Sequence, residues 1–101
     1  MVVTLYIPGQ PSRAISPEGF ELPDPTTGFA CVPDCVAEAL GCPYNLVDVQ
    51  ACGPAFVSYS IYDYEGEINL LGMAAIERWS KQPCGFEEED QLRGPLLLVT
   101  A

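Results

Sequence analysis

One stretch constrains this chain more than any other, because strand, turn and helix signals follow one another there without interruption. Phe56-Val-Ser-Tyr-Ser-Ile-Tyr62 alternates large apolar and small polar residues, Asp63-Tyr-Glu-Gly66 has turn chemistry, and the segment Met73 to Lys81 is amphipathic at helical spacing. In an extended segment Phe56, Ser58, Ser60 and Tyr62 share one face and Val57, Tyr59 and Ile61 the other, and the second set is the better core face. Gly66 is the residue expected to take a positive φ. Glu67 to Leu70 reads as a short strand, after which Met73, Ile76 and Trp79 stripe the helix, with Trp79 as the expected core anchor.

The remaining elements fit around this unit. Val2 to Ile7 is β-branched and bulky, hence a strand, and Pro8-Gly9 ends it. Residues 10–30 form a proline-rich loop, within which Ser12 to Ser16 reads as a short second strand. Pro33 and Asp34 open a two-turn helix that Gly41 closes and Pro43 prevents from continuing. Asn45 to Gln50 alternates as a strand, and Cys52-Gly53-Pro54 breaks it. After Gly94-Pro95, the run Leu96-Leu-Leu-Val-Thr100 is continuously apolar, the pattern of a central strand buried on both faces. The expected fold is one α+β domain over residues 1–101. It has a single-layer mixed or antiparallel sheet of about four to five strands and two short helices on one face.

Composition removes whole classes of function. Fourteen acidic residues face four basic ones, a net charge of −10, which repels phosphate and argues against direct binding of nucleic acid or an anionic membrane. An acidic surface suits a partner with a basic one. No apolar run approaches the roughly 20 residues that cross a bilayer. The N-terminus lacks a basic leader, so a cytoplasmic protein is expected. The sequence contains no histidine, so nucleophilic catalysis lacks its usual base and the common zinc sites lack a ligand type. The five cysteines at positions 31, 35, 42, 52 and 84 include no Cys-x-x-Cys pair; they read as small buried hydrophobes, with a four-thiolate site from Cys31, Cys35, Cys42 and Cys52 as the alternative. No phosphate-cradling glycine motif occurs. The expectation is a non-enzyme without cofactor or metal.

Two acidic segments are the candidate contact surfaces: the tip Tyr62, Asp63, Tyr64, Glu65 and Glu67, and the loop Glu87, Glu88, Glu89 and Asp90. Asp63, Glu65 and Glu67 share one face if extended, whereas a turn at Gly66 scatters them. Tyr59, Tyr62 and Tyr64 are either base-stacking groups or ordinary cross-strand packing.

Four short pieces carry a family resemblance: Ala39-Leu-Gly-Cys42, Asp63-Tyr-Glu-Gly66, Leu70-Leu-Gly-Met-Ala-Ala-Ile76 and Leu92-Arg-Gly-Pro-Leu-Leu-Leu-Val99. With them the chain resembles a family of small uncharacterised proteins from phages, plasmids and their bacterial hosts. The resemblance implies a setting and no activity. In that setting the expected function is a stoichiometric binder and inhibitor of a host defence complex, of the anti-CRISPR type, mimicking nucleic acid toward a basic groove. The alternatives are a protein that binds or sequesters a nucleotide signal and an accessory binding domain with no antagonist role. The sequence leaves the choice between monomer and homodimer open.

Overall fold

The computed structural model describes residues 1–23, 26, 32–81 and 91–101. Five strands, β1 (Val2–Tyr6), β2 (Arg13–Ile15), β3 (Val47–Gly53), β4 (Phe56–Ile61) and β5 (Leu96–Thr100), form one antiparallel sheet in the order β2-β1-β5-β4-β3. Two helices, α1 (Asp34–Leu40) and α2 (Leu70–Ser80), complete an α+β fold of the expected class. No helix among the described residues is long and apolar enough to cross a membrane.

β5 occupies the centre, between β1 and β4, and all five of its residues are buried. Register sorts them into two layers. Leu97 lies opposite Leu5 and Tyr59, and Val99 opposite Val3 and Val57, on the face that receives Val36 and Leu40 of α1. Leu96 and Leu98 project to the other face, where Met73, Ala75 and Ile76 of α2 cover them together with Phe56 and Leu92. The helices therefore lie on opposite faces of the sheet, which corrects the expectation of both on one face. The cause is in β5 itself. A strand whose successive side chains are all apolar has to be covered on both sides, because each buried Leu or Val contributes roughly 1.5–3 kcal/mol only when water is excluded.

α1 is short and held by its ends. Pro33 is extended (φ −71°, ψ 155°) and stands just before the helix rather than at its first position. Gly41 takes the left-handed conformation at φ +76°, and the N–H groups of Gly41 and Cys42 both donate to the Ala37 carbonyl. Between α1 and β3 the chain makes a 3-10 turn over Tyr44–Leu46, so the third strand starts at Val47 and continues to Gly53, later at both ends than its alternation suggests.

α2 starts at Leu70, three residues before the stripe predicts, and the expected strand over 67–70 shrinks to a single bridge between Ile68 and Arg93. Asn69 is the reason. It is 1% exposed, its Oδ1 accepts from the Gly72 N–H at 2.9 Å as an N-cap, and its Nδ2 donates to the carbonyls of Tyr6 (2.9 Å) and Gly94 (2.8 Å). One carboxamide thus ties the helix start to the end of β1 and the approach to β5. Gly72 is needed beside it, since a Cβ there would meet the Asn69 side chain at 2.9 Å. At the other end Trp79 packs its ring on Phe56 (centroids 6.2 Å apart) but stays 39% exposed. It is a flank of the core, not its anchor; among the described residues the largest wholly buried side chain is Tyr59.

Candidate functional site

The candidate site lies where β3 and β4 run out beneath the loop that leads to α2. Tyr62 N–H donates to the Leu46 carbonyl at 2.7 Å, which keeps the chain in line for one residue beyond β4. Asp63 then takes φ +52°, a conformation that Asp adopts more readily than most residues. It is Asp63, not Gly66, that turns the chain with positive φ. Gly66 is required for a different reason: a Cβ there would come within 2.4 Å of the Tyr64 ring, and so would one on Gly94. Tyr64 therefore lies in a slot between two glycines.

The loop is clamped from behind. Arg93 Nη1 donates to the Gly66 carbonyl at 2.8 Å, Gly94 N–H to the Glu67 carbonyl at 3.0 Å, and Asn69 N–H to the Leu92 carbonyl at 2.9 Å. The result is a held platform. In front of it opens a groove of about 530 Å³, lined by Asp48 and Gln50 of β3, Ser60 and Ile61 of β4, Tyr62 to Glu65, and Gln91 to Arg93. A β-bulge between Val49 and Ala51 accompanies the bond by which Gln50 Oε1 accepts from the buried Ser60 hydroxyl at 3.0 Å.

The carboxylates of this groove outnumber its cations. Asp48, Asp63 and Glu65 supply three carboxylates, while its cation, Arg93, is engaged with a backbone carbonyl of the clamp. Tyr62 (64% exposed) and Tyr64 (43%) offer aromatic surface beside them. Carboxylates and tyrosine rings together hold a cationic side chain, by ion pairing and by the ring quadrupole. A phosphate would meet repulsion here.

Of the residues singled out from sequence, Tyr62, Asp63, Tyr64 and Glu65 come together in the groove. Glu67 does not. It lines a second groove of about 520 Å³ with Ile7, Pro8, Pro11, Ile68, Leu70 and Leu71, and its Oε2 lies near Gly9. Tyr59 is wholly buried in the α1-side core, which removes it from any stacking role. Glu87, Glu88, Glu89 and Asp90 lie outside the described residues. Sequence reasoning missed Asp48, Gln50, Ser60 and Gln91. The available signal was Asp48, a lone charge between two valines in an alternating segment, which the register places opposite Ser60.

The described cysteines are free thiols. Burial pushes the Cys35 thiol above its ordinary pKa, with the Glu38 and Asp34 carboxylates adding to the effect and backbone hydrogen bonds opposing it. Burial alone raises Cys42. Both pack against the α1-side core, whereas Cys52 is exposed on β3. No group of three or more metal-ligating side chains is found among the described residues; Cys31 and Cys84 lie outside them. Comparison with known proteins adds nothing to this geometry: no family model, no curated protein and no solved structure matches the chain.

Proposed function

We propose that this chain is a non-catalytic, stoichiometric binder of a protein with a basic surface. The observation that carries this reading is the groove itself: three carboxylates against one arginine, with two exposed tyrosine rings, line it beside a clamped loop. Such a surface speeds association with a positively charged partner and favours it over acidic ones. The resemblance to phage and plasmid proteins supports one partner class, the nucleic-acid groove of a host defence complex. There the carboxylates would take the places of phosphates, and binding would inhibit the complex. Sequestration of a nucleotide signal is the weaker reading, since the tyrosines suit a base but the carboxylates oppose its phosphates.

The test is binding to purified defence effectors across a salt series, with the wild type, a variant carrying Asp48→Asn, Asp63→Asn and Glu65→Gln, and a variant charge-reversed at 87–90. The proposal expects affinity to fall as salt rises and to fall again in the groove variant. Binding that is unchanged in the groove variant at every salt concentration overturns the groove reading.

A further inference from the structure

β3 forms one margin of the sheet, and among the described residues its strand neighbour is β4 alone. Its outer N–H and C=O groups are a template for another strand. Sheet margins are commonly guarded by lysine or proline, and Val47–Gly53 contains neither; the bulge at Gln50 divides the edge and leaves Val47 to Val49 beside the groove.

The two faces of this edge differ in character. Asp48 borders the acidic groove, while Val49, on the α1 side, is 41% exposed although Tyr59 opposite it is wholly buried. On an added strand, the side chain opposite Asp48 would have its Cβ roughly 4.5–5.5 Å away, and the next residue would project to the other face, over Val49. A second copy of this chain fits poorly there, because it brings the same acidic edge and a net charge of −10.

We infer that β3 takes up an extended segment of the partner protein as an added strand, with basic residues toward the groove and apolar residues over Val49. This rests on the basic-partner reading and specifies how that partner is held. Backbone pairing supplies affinity, and the alternation of the segment supplies specificity.

The test uses a peptide alternating arginine and valine, a twin N-methylated at two adjacent central residues, and a twin with glutamate in place of arginine. Calorimetric titration measures binding, and amide hydrogen exchange locates it. The expected result is binding of the parent peptide, slowed exchange along β3, and a loss of about tenfold on methylation, since in either register one of the two adjacent N–H groups faces β3, where its methyl group removes a ladder hydrogen bond and blocks close approach. Asp48→Asn weakens the parent peptide while the protein keeps its cooperative melt. Equal binding of the methylated twin overturns strand addition and leaves the basic-partner reading standing, because the charges are the same. Equal binding of the glutamate twin overturns both. Absence of binding by the parent, or protection confined to β2 or to Leu70 and Leu71, overturns the inference.

Discussion

The two faces of the sheet are built on different principles. On the α1 side one continuous apolar cluster runs from Val3 and Leu5 through Leu97 and Val99 to Val57 and Tyr59, sealed by Val36 and Leu40. On the α2 side the apolar contacts divide into two smaller clusters, buried Ser58, Ser60 and Asn69 stand among them, and the end beyond α2 opens into the acidic groove. The first face supplies stability through apolar area. The second is specified by hydrogen bonds, and that leaves surface free for a partner.

If that contrast is right, removing the strand common to both faces has the largest effect. A chain ending after Arg93 lacks β5 and should show no cooperative thermal transition by circular dichroism; a sharp melt in that chain would refute the central position of β5. Next come single truncations on either side. Leu97→Ala should cost about 3–4 kcal/mol in chemical denaturation and Met73→Ala about 2, because Leu97 is wholly enclosed and Met73 lies at the margin of its cluster. Equal losses would erase the distinction between the faces.

Asn69→Ala tests the hydrogen-bonded face. It should cost about 2–3 kcal/mol, since it removes a helix cap and leaves the Tyr6 and Gly94 carbonyls without this donor. A loss under about 0.5 kcal/mol would reduce Asn69 to an ordinary surface residue.

These positions also show how far the sequence carries. β1, β4, β5 and the Gly41 stop of α1 were legible because their signals are local: β-branched runs, alternation, and a glycine followed by proline. The start of α2 was not. Glu67-Ile-Asn-Leu70 alternates well enough to pass for a strand, and what makes Asn69 a cap is completed by bonds to Tyr6 and Gly94, 63 and 25 residues away. The placement of both helices was latent in the Leu96–Thr100 run, since burial on both faces demands cover on both. Trp79 has the size and spacing of a core anchor, but its ring rests on Phe56 at the start of β4 and stays partly exposed. The tip Tyr62 to Glu65 could be read as a turn bearing acids, but Asp48 and Gln50 join it only through strand register and a bulge, which alternation does not encode.

A smaller effect concerns the thiols. Cys35 and Cys42, raised by burial, should react with iodoacetamide later in a pH series than a thiol of ordinary pKa near 9.0. Cys52, being exposed, should be labelled before either of them. The sign for stability follows: the contribution of the two raised thiols is complete below about pH 9 and is lost as pH rises through their folded-state values. Labelling of all three at one rate across pH 7 to 10 would contradict the burial of the first two.

The proposed recognition of cations by the groove, with little contribution to the fold, can be tested directly. The direct measurement is a two-dimensional NMR titration with an arginine-rich peptide, run on the wild type and on the protein carrying Asp48→Asn, Asp63→Asn and Glu65→Gln. The predicted result is shifts concentrated at Asp48, Gln50, Ser60, Tyr62 to Glu65 and Gln91 to Arg93. In the variant those shifts should be lost while its stability stays within about 0.5 kcal/mol of wild type. Shifts centred instead on Leu70 and Leu71, or a variant that binds as well as the wild type, would contradict it.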